Sequence, residues 1–292
     1  MSLAMTPEIA EQLASIGRVI DPARTGAIYA PLHDREPYPA VNVTRDIAYG
    51  PAERNRLDVF TAKDATGPRP VLIFVHGGGF TGGNKSVPGS PYYDNVPLWA
   101  ARHGLVGVNI TYRLAPQAPW PAGAEDVGAA VRWTLDNIAR FGGDPSRVFL
   151  FGHSAGATHA GTYAAMPQFQ NGRGLGIAGL ILTSGIYDLA NFPLTDNYRS
   201  YIGSDASLYA ERSPIVGLRQ LSVPSLLVYA EFDPAPFIPQ FEKLSAAMAN
   251  APGGKPRTLF LDKHSHLSLG YAIGTDDTML TDAISDFIAG VK

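Results

Sequence analysis

An α/β fold, with a mostly parallel central sheet, helices on both faces and a small cap, is the architecture that the sequence predicts. Three observations carry it. Short, wholly apolar runs such as Val71-Leu72-Ile73-Phe74-Val75 suit strands covered on both faces. Between them lie stretches of helical period, such as Ala124 to Arg140 with Val127, Val131, Leu135 and Ile138 on one side. The alternation of the two kinds implies parallel strands joined by crossover helices. Finally, a chain of 292 residues, 45% hydrophobic and 17% charged, is long enough to bury one large core.

In chain order, Thr6 to Ile20 carries Ile9, Leu13, Ile16 and Ile20 three or four apart and reads as an amphipathic helix. Pro22, Pro31, Pro37 and Pro39 then punctuate a loop-rich stretch. Residues 1–50 are read as an N-terminal cap or appendage packed on a main domain of residues 51–292. Leu57 to Thr61 alternates and is expected as an edge strand. The buried strands expected next are 71–75, Leu105 to Tyr112, Val148 to Phe151, Ile177 to Thr183, Ser225 to Tyr229 and Thr258 to Leu261. The expected helices are 124–140, Ala155 to Met166, Ile238 to Ala249 and Met279 to Val291. Asp188 to Leu221, rich in Tyr, Asn, Asp and Ser, is long for a connection and reads as a lid-like insertion.

Composition narrows the function. A net charge of -3 provides no electrostatic footprint for nucleic acid or an anionic membrane. The absence of cysteine excludes disulfides, thiol catalysis and thiolate metal sites. No run approaches the ~18 apolar residues of a membrane span. Met1 to Glu8 lacks the basic start and apolar run of a signal peptide, and Met5 is an alternative start. A soluble, cytoplasmic protein without membrane or nucleic-acid partners is expected, and a homodimer is compatible with the sequence. There is no P-loop, no dinucleotide fingerprint and no zinc spacing, so neither cofactor nor metal is expected.

The chemistry is concentrated in three segments. Gly152-His153-Ser154-Ala155-Gly156 fits G-x-S-x-G between a strand and a helix. The sharp turn strains the serine and leaves no room for side chains two residues before or after it. The helix N-terminus behind Ser154 favours developing negative charge. His76-Gly77-Gly78-Gly79-Phe80 follows the strand 71–75, and its bare backbone can present amides, together with that of Ala155, as an oxyanion hole. His76 is expected to hold this loop through hydrogen bonds rather than to act in catalysis. Arg113 and Asp126 are expected to pair under the site.

These two motifs, with Tyr112-Arg113-Leu114-Ala115-Pro116 between them, resemble those of the hormone-sensitive-lipase-like carboxylesterases, the HGGG-type α/β-hydrolases. The resemblance covers about residues 55 to 292. It implies an α/β-hydrolase fold, a Ser-His-Asp triad, and an oxyanion hole of the Gly78, Gly79 and Ala155 amides. The family usually has an acidic residue before the serine. His153 in that place puts the chain nearer arylformamidases and feruloyl-esterase-like members. The acid and the base should follow the serine in that order. Asp233 in Asp233-Pro234 resembles the family's acid, with Glu231 as a rival. His264 and His266 both lie in the last loop, and His266-Leu267 fits the family's histidine followed by an apolar residue.

The expected activity is hydrolysis of small carboxylic esters, short-chain acyl or aryl, through an acyl-enzyme on Ser154. The base must be neutral, so activity should climb with pH between roughly 6 and 7, where an ordinary histidine loses its proton. Three alternatives use the same residues: an arylformamidase-type amide hydrolase, a peptidase, and a non-catalytic small-molecule receptor. The last would usually lack a triad member, and none is missing.

Overall fold

The computed structural model of the chain describes residues 4–170, 172 and 174–291. The reading of Met1 to Leu3 as the start of a chain without a leader lies outside the described residues. One eight-stranded sheet organises the molecule: β1 (Val41–Ala48), β2 (Arg56–Ala62), β3 (Arg69–Val75), β4 (Val106–Ile110), β5 (Gly143–His153), β6 (Gly179–Thr183), β7 (Ser225–Phe232) and β8 (Arg257–Ser265). The spatial order is β1-β2-β4-β3-β5-β6-β7-β8. The pairs β1–β2 and β2–β4 are antiparallel and the others parallel. It is the α/β-hydrolase fold.

The wholly apolar strands are divided by their two-residue period between two cores. Val71, Ile73 and Val75 of β3 join Val148 and Leu150 of β5 in one core, beneath α4 (Ala122–Asn137), α5 (Ala155–Ala165) and α9 (Phe237–Ala247). Leu72, Phe74, Phe149 and Phe151 face the other. There they meet α1 (Pro7–Ile16), α2 (Pro22–Tyr29), α3 (Asn95–Arg102), α10 (Ser268–Tyr271) and α11 (Met279–Gly290). Leu13 and Ile16 are buried in this second core, so the apolar stripe of the first helix finds the surface it needs. That helix ends at Ile16 rather than Ile20, because Gly17 turns out of it with φ 74°.

Several elements differ from the sequence reading. Leu57–Thr61 is not at the edge of the sheet. Residues 41–48, expected within the appendage, form the outer strand β1, so the sheet begins inside the segment read as a cap. The loop-rich reading of the next residues after the first helix missed α2, which Asp21 caps by accepting the Arg24 amide and which starts with Pro22 at a position that needs no amide donor. The helices expected from the sequence also omit α3, whose Pro97 sits in the first turn, where proline is tolerated. The insertion 188–221 contains three short helices, α6 (Asp196–Ile202), α7 (Tyr209–Arg212) and α8 (Ile215–Leu218). None of the described helices is long and apolar enough to cross a membrane.

Candidate active site

Ser154 occupies the turn between β5 and α5 with φ 56° and ψ -123°, a conformation costing an L-residue about 1–3 kcal/mol. Its amide donates to the Thr183 carbonyl at 2.9 Å, which pins the turn to β6. A Cβ on Gly156 would overlap the Val75 carbonyl, and one on Gly152 would overlap the backbone of Gly156 and Ala157. The turn therefore depends on both glycines.

His266 lies just beyond β8. Its Nδ1–H donates to Asp233 Oδ1 at 2.7 Å, and its Nε2 stands 2.8 Å from Ser154 Oγ. A carboxylate only accepts, so the Nδ1 proton is fixed and Nε2 is left to accept from the serine hydroxyl. Asp233, past the end of β7, is fully buried. Its Oδ2 accepts from Ser184 Oγ at 2.6 Å and from the Ala230 amide at 2.8 Å. Its own carbonyl accepts from Arg18 at 3.2 Å, tying the α1–α2 connection to the acid's loop.

The rival residues point elsewhere. Glu231 accepts the Lys263 amide at 2.7 Å. His264 has Nδ1 3.0 Å from Ser268 Oγ and Nε2 3.1 Å from Asp277. The structure thus brings Ser154, His266 and Asp233 together and leaves His264 and Glu231 out. Ser184 went unnoticed in the sequence, where its one signal is its place immediately after a buried strand.

Gly78 and Gly79 face the same cleft as Ser154, with φ 136° and 59°. Among the described residues the amides of Gly78, Gly79 and Ala155 have no acceptor. Ala155 is the first residue of α5, where an unpaired amide is the rule. Behind the glycines, His76 donates from Nδ1 to the Gly77 carbonyl at 2.6 Å and stacks on Tyr112, 4.4 Å away. Tyr112 in turn donates to the His76 carbonyl at 2.8 Å. Arg113 and Asp126 pair below, with the Arg113 amide and Nε also donating to the buried carboxylate. Burial pushes His76 and His153 down to about 3, so both rings are neutral. His153 Nε2–H donates to the His266 carbonyl at 2.8 Å, a role beside the base that the sequence reading did not foresee.

The cleft has a volume of about 510 Å³. Tyr92, Tyr93 and Tyr271 form one wall, with the Tyr92 and Tyr271 rings stacked 3.8 Å apart. Tyr198, Thr195 and Asn197 of the insertion form another, and Ile20, Pro22 and Val87 lie along the rim. No Asp, Glu, Lys or Arg is among the described residues lining it.

A family profile described as alpha/beta hydrolase fold matches residues 72–247. The chain is 31% identical over 266 residues to Esterase LipQ of Mycobacterium tuberculosis, an alignment that covers 84% of this chain and 62% of LipQ. It is 37% identical over 133 residues to Carboxylesterase NlhH of the same organism, covering 44% of this chain and 39% of NlhH. The chain therefore spans less than two thirds of the length of either relative. Among solved structures, one titled Bacterial Heroin Esterase superposes with a TM-score of 0.73 at 23% identity, covering 99% of this chain and 98% of that one. At that identity the likeness concerns the fold.

Proposed function

Since the chain belongs to the α/β-hydrolase fold family, we propose that it is a serine carboxylesterase acting on small, uncharged carboxylic esters. One observation carries this reading: a buried carboxylate, an imidazole and a strained serine are connected by contacts of 2.7 and 2.8 Å at the floor of an open cleft. The esterase names of LipQ and NlhH support it.

His266 takes the Ser154 proton as Oγ attacks the ester carbonyl, and Asp233 holds the ring and balances its charge. The amides of Gly78, Gly79 and Ala155 receive the oxyanion. His266 then gives the proton to the departing alkoxide. In the second half, water attacks the acyl-serine as His266 takes its proton, and the acid leaves as Ser154 regains one. The chain's own residues move every proton in this scheme.

The cleft defines the substrate class. Its tyrosine wall suits an aryl or short acyl group. A charged substituent would enter it without a partner of opposite sign, which is costly. Initial rates against p-nitrophenyl acetate, butyrate and octanoate, a feruloyl ester, an N-formyl aryl amine and a hemisuccinate ester test the reading. The neutral short-chain and aryl esters should exceed the anionic one by at least about 10-fold in kcat/KM. Faster turnover of the formamide would identify an amide hydrolase, and no turnover of any member would count against the reading.

A further inference from the structure

Beneath the catalytic turn lies a second serine, histidine and aspartate, closed off from the cleft. Ser268 Oγ accepts the Ser265 amide at 2.9 Å and donates to the Ser265 carbonyl at 2.9 Å, clamping the four residues that carry His266. The single hydroxyl proton is thereby used, so His264 Nδ1, 3.0 Å away, is the donor in its contact with Ser268. On the far edge of the ring, Nε2 stands 3.1 Å from Asp277 Oδ2, without the geometry of a hydrogen bond. The other Asp277 oxygen accepts the Met279 amide at 3.3 Å, at the start of α11. His264, Asp277 and Ser268 are 2%, 7% and 0% exposed, so water does not readily substitute for a lost partner. Tyr29 of α2 closes the pocket, its phenol pushed up by burial and next by the Asp277 charge.

We propose that His264 and Ser268 are positioning residues that brace the His266 turn and so fix the 2.8 Å approach of His266 to Ser154. The turn is held from both sides: Ser268 clamps its backbone from below, and His153 holds the His266 carbonyl from the cleft side. Loss of the brace loosens the base.

This inference rests on Ser154, His266 and Asp233 forming a working triad, and the test separates the two. His264→Phe, His264→Asn and Ser268→Ala are compared with the wild type in kcat, KM and the rate of labelling by a fluorophosphonate, with thermal unfolding as the folding control. His264→Phe and Ser268→Ala should each lower kcat and labelling by about 10- to 100-fold with KM unchanged within about twofold. His264→Asn keeps a donor near the Nδ1 position and should stay within about 5-fold of wild type. Ser268→Ala, the smaller change, decides the matter where His264→Phe does not fold. A folded His264→Phe or Ser268→Ala protein that labels and turns over at the wild-type rate would overturn the brace, as would His264→Asn no better than His264→Phe. A wild type that neither labels nor turns over esters would instead overturn the triad.

Discussion

The Asp233 carboxylate accepts three hydrogen bonds, from His266, Ser184 and the Ala230 amide, and only the first follows from the sequence motifs. The serine bond is charge-assisted and buried, a kind worth about 1.5–3 kcal/mol. In the proposed mechanism its loss would let the carboxylate rotate away from His266. Ser184→Ala is therefore expected to lower kcat about 10-fold with KM unchanged, measured on a p-nitrophenyl ester; an unchanged kcat would show that the Ala230 amide suffices. Ser184 was hidden because its role comes from sheet register. Its amide donates to the Val228 carbonyl, which sets β6 beside β7 and places the hydroxyl at the end of the acid's strand. His266 was legible only through Leu267 after it. What distinguishes it physically from His264 is the presence of Asp277 and Ser268 on the other side, 11 or more residues of sequence away in the first case and a turn away in the second.

The antiparallel side of the sheet, where β1 went unread, is held by charge as well as by apolar contacts. Arg45 of β1 reaches Asp58 on β2 at 2.9 Å and Asp94 beside α3 at 2.6 Å. Lys85, in the loop after Gly77, Gly78 and Gly79, meets Asp58 and Asp46 at 2.8 Å each. Asp58 is fully buried within a strand, where a sequence pattern would place an apolar side chain. This network anchors the glycine loop to the antiparallel side of the sheet. Lys85→Met leaves Asp58 with Arg45 as its remaining cation. It should cost about 3 kcal/mol, the lower end of what breaking a buried pair costs. Urea unfolding checks this, and a loss under 1 kcal/mol would mean that Arg45 compensates. The inner parallel strands β3 to β7 were legible because burial on both faces makes their central runs apolar. β1 was not, since its exposed face is polar and the prolines before it read as loop.

Among the buried histidines, His76, His153 and His159 are each pushed down to about 3 by burial. In the unfolded chain they would titrate near 6.5, so below that pH the unfolded state binds more protons than the folded one. Their effect on stability is thus nil above about pH 6.5 and grows more unfavourable as pH falls from there towards 3, by up to about 1.4 kcal/mol per pH unit for each ring. Unfolding free energy measured by urea should fall by on the order of 5 kcal/mol between pH 7 and pH 5, and a flat profile would show that the rings are not held neutral. The inner parallel strands, the strand-turn-serine-helix unit and the glycine loop were readable because local pattern and backbone sterics dictate them. The braces around Asp233 and His266 were not, because they join segments far apart in the chain. The central claim, that Ser154 is a nucleophile activated by His266 and Asp233, is tested most directly by intact-protein and peptide mass spectrometry after reaction with a fluorophosphonate. One adduct on Ser154 is expected in the wild type, with none in Ser154→Ala and labelling slowed by at least about 100-fold in His266→Ala. An adduct elsewhere, or none on the wild type, would contradict it.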